Sequence, residues 1–239
     1  MMKKLCVVIP IFRKKITDKE KISLLSIKKN CGYADVIFVA PYDLDGSIYI
    51  SFLPGAEVRR FKKSFFKNVN SYSKMLMSYK FYEKFSDYEY MLIIQTDAVL
   101  LKKIDESFST FYDFDYIGAP WMKPISATCV CFRGVSFVAR FLHPRDCYIG
   151  NGGFSLRNIS ACIMLLKKKK IFSRVWNTGE DIFFSYHGMD SDIRFRMPPV
   201  EVGRRFAIER ELDEKNIPYG IHAWDKLPSE SIPVIPKNV

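Results

Sequence analysis

The stretch Met91–Leu101, which reads MLIIQTDAVLL, most constrains what this chain can fold into. It begins with an apolar run, turns polar at Gln95-Thr96-Asp97 and then becomes apolar again. A short apolar run of this kind is typical of a buried strand, although periodicity alone does not separate it from a buried helical segment. We therefore expect a central strand that ends at the edge of the core, where the polar triplet lies.

Asp97 is the first candidate functional residue in this stretch. In open α/β sheets, ligands bind beyond the carboxyl ends of the strands. A carboxylate at that edge is a suitable ligand for a hard cation such as Mg²⁺ or Mn²⁺. Asp is also favoured in turns for purely local reasons. The stretch alone leaves both interpretations of Asp97 open.

The first part of the chain predicts a β-α-β unit. Leu5–Ile11 reads as a strand, and Val36–Ala40 reads as a second one. Between them, Thr17 and Glu20 have the spacing of a capping box, and Lys19–Asn30 follows with helical spacing of its apolar residues. This order is the opening of a parallel α/β sheet.

The middle of the chain contains further predicted elements. Leu44–Gly55 alternates in polarity but carries turn residues, so we expect a loop or an edge strand there. Ser71 is expected to cap a helix with a core-facing apolar side. That side comprises Tyr72, Met75, Leu76, Tyr79, Tyr82 and Phe85. Tyr116–Trp121 reads as a strand and Ile159–Lys170 as an amphipathic helix, whereas residues 122–143 receive no assignment.

Two segments in the second half of the chain combine turn residues with polar groups. Cys147–Arg157, with the sequence CYIGNGGFSLR, is predicted to be a binding loop, because Gly and Asn let the backbone approach a ligand closely. Its alternative interpretation is an ordinary turn. Thr178 is predicted to cap a helix with Asp181 at the third helical position, which gives Asp181 a structural alternative to a functional role.

The composition limits the class of protein. The chain has 239 residues and a formal net charge of +11, which favours anionic partners such as nucleotides, nucleic acid or acidic lipid headgroups. No apolar run is long enough to cross a bilayer, and the N-terminal stretch is predicted to be a first strand rather than a signal peptide. The six cysteines are scattered, so we expect reduced thiols and a cytoplasmic protein. No linker divides the sequence, which predicts a single domain.

Six motifs occur in an order that is similar to a known class of enzymes. They are IIQTDAVLL, DYIGAPW, GNGGFSLR, GEDIFF, RRFAIE and PYGIHAW. In this order they resemble the GT-A class of nucleotide-sugar glycosyltransferases. More narrowly, the chain is similar to a bacterial family of predicted glycosyltransferases first catalogued as a domain of unknown function. The resemblance implies an α/β, Rossmann-like domain with a mostly parallel central sheet flanked by helices.

The resemblance also implies a metal site for Mn²⁺ or Mg²⁺. In GT-A enzymes a D-x-D motif after a central strand holds the metal, and the corresponding position here reads Gln95-Thr96-Asp97. Gln95 replaces the first Asp, so only Asp97 carries a full ligand charge. A His near the C-terminus often completes such a site, and His222 occupies that place in the motif PYGIHAW. The structural alternative is that His222 packs near Trp224.

Further roles follow from the same resemblance. It points to Glu180 and Asp181 as the catalytic pair, with Asp181 as the base if the reaction inverts the sugar and as a ligand of sugar hydroxyls if it does not. The donor-binding residues that it implies are Pro10, Phe12, Arg13, Gln95, Thr96, Asp97, Gly152 and Gly153. Residues 1–97 would form the nucleotide-binding half and residues 98–239 the acceptor-binding half.

The function that this resemblance implies is transfer of a hexosyl or N-acetylhexosaminyl group from a nucleotide sugar, expected to be UDP-linked, to a glycan. The acceptor would be a lipid-linked glycan of a bacterial cell-surface polysaccharide such as lipopolysaccharide, and the basic chain would contact anionic lipid at the cytoplasmic face of the membrane. Two alternatives remain, a basic module that binds nucleic acid and a nucleotide-sugar-binding protein without turnover. Scattered charges and aromatic residues at helix-core spacing argue against nucleic acid.

Overall fold

The structure is a computed structural model that describes residues 2–127, 145–210, 212–213 and 215–227. The strands are β1 (Lys3–Pro10), β2 (Asp35–Pro41), β3 (Glu57–Phe61), β4 (Tyr88–Ile94), β5 (Val99–Leu100), β6 (Tyr116–Ala127), β7 (Arg145–Asn158), β8 (Ala207–Ile208) and β9 (Gly220–Ile221). The α-helices are α1 (Asp18–Asn30), α2 (Ser47–Phe52), α3 (Val69–Leu76), α4 (Tyr79–Glu83), α5 (Ile159–Lys168), α6 (Lys170–Val175), α7 (Glu180–Gly188) and α8 (Val200–Phe206). Short 3₁₀ helices span Lys63–Phe66, Glu106–Asp113 and Trp224–Lys226.

A six-stranded sheet in the order β3-β2-β1-β4-β7-β6 forms the centre of the molecule. Strands β3, β2, β1 and β4 run parallel to one another, whereas β7 is antiparallel to both β4 and β6. The predicted α/β class, with a mostly parallel central sheet flanked by helices in one domain, is confirmed. The stretch Met91–Leu101 contains the end of the inner strand β4, which finishes at Ile94 as expected, and the short strand β5.

The core lies on both faces of this sheet, because successive side chains of a strand point to opposite faces. In β1, Cys6 and Val8 belong to one hydrophobic cluster, whereas Val7 and Ile9 belong to the other. All of them are buried, and complete burial of one large aliphatic side chain stabilises a fold by about 2 kcal/mol. The two-sided burial explains why the strands read as continuous apolar runs rather than as alternating ones.

The predicted β-α-β opening is confirmed at the level of individual hydrogen bonds. The Thr17 hydroxyl accepts a hydrogen bond from the backbone N–H of Glu20, and the Glu20 carboxylate accepts one from the backbone N–H of Thr17. This reciprocal capping box satisfies two N–H groups that the first turn of α1 would otherwise leave without partners. It fixes where α1 begins after β1.

Two sequence predictions in the first half of the chain are wrong in their details. The segment Leu44–Gly55 contains the helix α2 rather than an edge strand. The helix expected to start at Ser71 begins earlier, because Asn68 caps α3 and Ser71 supplies the reciprocal bond of the capping box. The expected single helix is also divided into α3 and α4, since the backbone leaves the helical conformation at Ser78. The core-facing side was predicted correctly, with Met75, Leu76, Tyr82 and Phe85 buried.

A second sheet in the order β5-β9-β8 lies at the carboxyl-terminal edge of the central sheet. Strand β9 pairs antiparallel with β5 and parallel with β8. Its pairing with β5 holds the end of the described chain next to the segment that follows β4. This small sheet positions several of the candidate functional residues.

The predictions about the cysteines and about membrane-spanning segments can be compared with the structure in part. The cysteines Cys6, Cys31 and Cys162 are free thiols, whereas Cys129, Cys131 and most of residues 122–143 lie outside the described residues. Within the described part of the chain, no helix is long and apolar enough to cross a membrane.

Candidate functional site

The candidate site lies where β1 and β4 end side by side. These strands are parallel neighbours, and Val8 of β1 is aligned with Ile93 of β4. Pro10, the last residue of β1, therefore lies close to Gln95, the first residue after β4. Phe12 and Arg13 follow at the same edge, and the Arg13 guanidinium is 5.4 Å from the centre of the Phe12 ring. The edge thus collects the predicted donor-binding residues of both strands.

The strand β7 brings the glycine-rich motif to this edge. It is antiparallel to β4, and the backbone N–H of Gln95 donates a hydrogen bond of 2.8 Å to the carbonyl oxygen of Gly153. Cys147–Arg157 is therefore part of a strand, and the predicted binding loop is wrong as a loop. The hydrogen bond from Gln95 to Gly153 nevertheless places the glycines beside the polar triplet.

Gly152 and Gly153 provide space for functional side chains rather than unusual backbone angles. A Cβ atom on Gly153 would lie 2.1 Å from two ring atoms of His222. A Cβ atom on Gly152 would lie 2.5 Å from Oε1 of Glu180. The two residues that the sequence places far apart, Glu180 and His222, therefore both pack directly against β7, and only glycine permits that approach.

The small sheet aligns three polar side chains at one of its ends. Asp97 precedes β5, His222 directly follows β9 and Glu209 directly follows β8. The antiparallel pairing of β5 with β9 and the parallel pairing of β9 with β8 bring these three positions together. Nε2 of His222 is 3.5 Å from Oδ1 of Asp97, and Nδ1 of His222 is 3.7 Å from Oε1 of Glu209.

The three side chains form an electrostatic triad in which the imidazole is flanked by carboxylates. Burial alone would lower the pKa of His222, but Asp97 and Glu209 outweigh it and raise that pKa to about 9. Burial would raise the pKa of Asp97, yet the contact with His222 lowers it below its usual value. The neighbouring His222 imidazole likewise lowers the pKa of Glu209. Without a cation, the structure thus favours an imidazolium between two carboxylates.

The same geometry fits a divalent cation. The Asp97 carboxylate and the His222 imidazole are ligand types that Mn²⁺ and Mg²⁺ accept, and Asp97 remains half exposed. Within the ranges that the structure describes, Nδ1 of His222 is buried without a hydrogen-bond partner, and it lies 3.7 Å from Oε1 of Glu209. Among the described residues, no group of three or more His, Cys, Asp and Glu side chains is arranged to hold a metal. The pair therefore suits a cation that takes its other ligands from a bound oxyanion and water.

The N-terminus of α7 supplies the catalytic candidates. Gly179 is the N-cap and makes no side-chain capping bond, so the predicted Thr178 cap is wrong. Instead, Oδ1 of Asp181 accepts a hydrogen bond of 2.8 Å from the backbone N–H of Ile182. Burial, and next the charge of Glu180, raise the pKa of Asp181 to about 7. Asp181 can therefore exchange a proton near neutral pH, which a usual carboxyl group does not do.

Glu180 is held in a buried hydrogen-bonded network. Its Oε1 is 3.0 Å from Nη2 of Arg157, and its Oε2 accepts a hydrogen bond of 2.9 Å from Ser73. Arg157 is fully buried, and its guanidinium also donates to the hydroxyl of Tyr82 at 2.9 Å and packs over the ring of Tyr116. These contacts join β7, α3, α4 and α7 through Glu180, the residue that precedes Asp181.

Three residues of the site were not found from the sequence. Glu209 ends the motif RRFAIE, but nothing in that motif by itself points to a histidine neighbour. Ser73 read as an unremarkable helix residue between apolar positions. Tyr72 was assigned to the core, whereas its hydroxyl makes a hydrogen bond to the side chain of Gln95, and burial raises its pKa. Gln95 therefore has a structural partner at the position where a D-x-D motif would have its first carboxylate.

Two solved structures share this fold. The crystal structure of mouse xyloside xylosyltransferase 1 in its apo form aligns with a TM-score of 0.60 at 14% identity, covering 98% of this chain and 100% of that one. The apo structure of the bifunctional glycosyltransferase WbbM aligns with a TM-score of 0.54 at 11% identity, covering 92% of this chain and 45% of that one. The fold is thus one that glycosyltransferases use.

The sequence itself assigns the family. The model of the family described as "Protein of unknown function (DUF5672)" matches residues 55–222, and the chain belongs to that family. A comparison with curated proteins gave no significant match. The matched range includes Asp97, Gly152, Asp181, Glu209 and His222, whereas Pro10, Phe12 and Arg13 precede it.

Proposed function

We propose that this protein transfers a sugar from a nucleotide-sugar donor to a hydroxyl group of an acceptor glycan. The observation that carries the proposal is that Asp181, whose pKa is raised to about 7, shares one edge of the sheet with the cation-type pair Asp97 and His222. Glycosyl transfer requires both elements, a base for the acceptor and positive charge for the leaving group. The fold shared with solved glycosyltransferases supports the same reaction class.

The donor is proposed to lie across the ends of β1 and β4. Pro10, Phe12 and Arg13 would contact the nucleoside, and Gln95 and Thr96 would contact the ribose or the sugar. Asp97 and His222 would hold Mn²⁺ or Mg²⁺ together with oxygens of the diphosphate. When bound, that cation supplies positive charge against which the diphosphate can leave. Gly152 and Gly153 would make room for Glu180 and His222 beside the transferred sugar.

The proposed reaction is an inverting displacement. The acceptor oxygen forms a bond to the anomeric carbon while the bond from that carbon to the diphosphate oxygen breaks. The acceptor proton passes to the carboxylate of Asp181, and the electron pair of the broken bond leaves with the nucleoside diphosphate. The anomeric carbon develops oxocarbenium-like character in this transition state, as it does in glycoside hydrolysis.

Glu180 is proposed to act on Asp181 and not to take part in the reaction itself. Both of its carboxylate oxygens already have partners, Arg157 and Ser73. Its negative charge raises the pKa of Asp181, which keeps that residue close to the pKa suited to a general base at neutral pH. Glu180 would thus act on the reaction through Asp181.

The donor that we propose first is a UDP-linked hexose or N-acetylhexosamine, and the acceptor a lipid-linked glycan at the cytoplasmic face of a bacterial membrane. The net charge of +11 supports contact with anionic lipid there, since each basic residue near such a surface contributes about 1 kcal/mol.

Release of nucleoside diphosphate from a panel of nucleotide sugars tests this function. The protein is incubated with Mn²⁺, each donor and a mixture of acceptor sugars, and free diphosphate is measured for the native protein and for Asp181→Asn. We expect release with one class of donor in the native protein and a large loss in the variant. Donor binding without any release would instead support a non-catalytic nucleotide-sugar-binding protein, an alternative that Gln95 at the first position of the D-x-D motif favours.

A further inference from the structure

A cavity of about 330 Å³ opens next to the N-terminus of α7. Its wall includes Asn70, Lys74, Arg174, Trp176, Asn177 and Thr178, contributed by α3, by the end of α6 and by the segment that leads into α7. This volume is at the lower end of the range of pockets that hold small molecules, about 300–1,000 Å³. The donor site described above does not include this cavity.

The cavity is rigidly connected to the catalytic candidates. The indole N–H of Trp176 donates a hydrogen bond of 3.0 Å to the carbonyl oxygen of Gly179, the N-cap of α7. On the other wall, Ser73, next to Lys74 on α3, donates to Glu180. Both walls are thus bonded to Gly179 and Glu180, the two residues that precede Asp181. A ligand in the cavity would be held at a fixed place relative to the proposed base.

Thr178 provides evidence that the cavity is completed by a ligand. Its hydroxyl is buried and has no hydrogen-bond partner among the described residues, although it lines the cavity. A buried hydroxyl without a partner costs about 1–3 kcal/mol, so such groups normally have one. If the Thr178 side chain turns towards the cavity, a sugar hydroxyl there would satisfy it, and the amides of Asn70 and Asn177 offer further donors and acceptors.

The charges around the cavity determine which sugar would fit. Two of the lining residues, Lys74 and Arg174, are cations, and no carboxylate belongs to the lining formed by the described residues. The Lys74 ammonium is bound to backbone carbonyl oxygens at the end of α6, including those of Ser173 and Trp176, so its charge is fixed in the wall. Arg174 forms no ion pair within the described part of the chain, and its guanidinium is suited to a planar or tetrahedral oxyanion.

We propose that this cavity binds the acceptor, and that the acceptor is a saccharide carrying a carboxylate or phosphate group, which pairs with Arg174 while sugar hydroxyls bond to Thr178 and the two asparagines. This inference rests on the proposed transfer reaction and deepens it by giving the acceptor an acidic class. The acceptor hydroxyl that reacts would face Asp181 from the side of the cavity, opposite to the donor at the ends of β1 and β4. The anionic group stays bound throughout and takes no part in bond making.

Matched pairs of sugars test the proposal directly. Methyl β-glucuronide is compared with methyl β-glucoside, and glucose 6-phosphate with glucose, by ligand-observed nuclear magnetic resonance at low ionic strength. Inorganic phosphate serves as a third probe. The protein is used as the native chain and as Arg174→Gln, Thr178→Val and Arg204→Gln. Arg204 is exposed on α8 and does not line the cavity, so its variant is the control for an equal loss of charge.

We expect at least one acidic sugar to bind about tenfold more tightly than its neutral partner, because charge-assisted hydrogen bonds are the stronger class. Arg174→Gln should abolish this preference and Arg204→Gln should preserve it. Thr178→Val should weaken both members of a pair without lowering the melting temperature, since the lost hydroxyl has no protein partner. Preference for the glucuronide identifies a sugar acid as the source of the anion, and preference for the sugar phosphate identifies a phosphate.

The proposal is overturned if neutral and acidic sugars bind alike, if Arg174→Gln has no effect, or if phosphate alone competes as well as the sugar phosphate. Its failure is distinguishable from that of the transfer reaction, because a parallel titration of the native protein with UDP and Mn²⁺ reports the donor site only. Acidic sugar binding that UDP does not displace would support two separate subsites.

Discussion

Asp181 carries the strongest prediction at the scale of single residues. Replacing it with Asn removes the proton acceptor but keeps the size of the side chain. General-base catalysis contributes about 10²–10⁴ to a rate, so kcat should fall by that factor while donor affinity stays within about twofold. Steady-state rates of nucleoside diphosphate release, together with donor titrations, check both parts. An Asn variant that retains the native kcat would refute the assignment.

The pH dependence of the same residue gives an independent prediction. Because burial and Glu180 raise the pKa of Asp181 to about 7, the rate should rise with pH through neutrality as the carboxylate forms. In the unfolded chain the pKa returns to about 3.8, so the folded state binds an extra proton between those values. Stability should therefore fall as pH rises from about 4 to about 7. In Asp181→Asn, both the rate profile and this part of the melting-temperature profile should flatten.

Ala223 stores backbone strain next to the candidate metal ligand. Its φ is +51°, the left-handed region, and it is the one residue other than glycine with a positive φ in the described ranges. This turn lets the N–H of Trp224 donate to the carbonyl oxygen of Asp97 while His222 stays at the end of β9. The left-handed conformation costs an L-residue about 1–2 kcal/mol, which glycine avoids at an entropic cost of about 0.5–1 kcal/mol.

Ala223→Gly should accordingly leave the free energy of unfolding unchanged or raise it by up to about 1 kcal/mol. Denaturant unfolding monitored by tryptophan fluorescence measures this difference. Ala223→Val at the same position should be destabilising, since β-branched residues tolerate this conformation least. A destabilised Gly variant would contradict the account of strain.

At the scale of elements, the glycines of strand β7 allow the side chains of Glu180 and His222 to pack directly against it. Gly153→Ala would place a methyl group 2.1 Å from His222 ring atoms, so the ring must move. We expect at least a tenfold loss of metal-dependent nucleotide affinity and a loss of about 1–3 kcal/mol of stability. Gly46→Ala is the control, because its added carbon would meet Val58 at an ordinary 3.6 Å. Titration of both variants with UDP and Mn²⁺ separates the effects.

The buried pair of Arg157 and Glu180 joins four elements, and its energetics can be measured by a double-mutant cycle. Arg157→Met leaves the Glu180 carboxylate buried without its cation, which typically costs about 3–5 kcal/mol. Adding Glu180→Gln removes the uncompensated charge and should recover a substantial part of that loss. Denaturant unfolding of the native protein, both single variants and the double variant gives the coupling energy. Purely additive losses would contradict a direct interaction.

At the scale of the whole molecule, the features that depend only on residues close in sequence were the ones predicted correctly. The capping box at Thr17 and Glu20, the apolar run of β4 and the polar triplet after it all depend on neighbours in sequence. The Thr178 cap failed because α7 begins one residue later, with Gly179 as its N-cap, and the Asp181 carboxylate bonds to the N–H of Ile182 rather than to that of Thr178. A capping pattern does not exclude such a competing local bond.

Long-range pairings explain the rest of what the sequence did not reveal. The pairing of β8 with β9 makes Glu209 a neighbour of His222. The sequence did not predict this pairing, because two-residue strands have no recognisable periodicity. Gly152 and Gly153 looked like turn residues, since the need for space arises from Glu180 and His222, which are distant in sequence. The positions of the polar residues were thus predictable, whereas the partners that give them function depend on tertiary pairing.

Calorimetric titration with a nucleoside diphosphate tests the central claim most directly. UDP is titrated into the protein with Mn²⁺ and again with a chelator, using the native chain, Asp97→Asn and His222→Ala. The account predicts binding that is at least tenfold tighter with Mn²⁺, and the metal-dependent gain should disappear in both variants. GDP, CDP and TDP are titrated in the same way. The absence of binding by all four diphosphates, with and without Mn²⁺, would contradict a nucleotide-sugar site at this edge of the sheet.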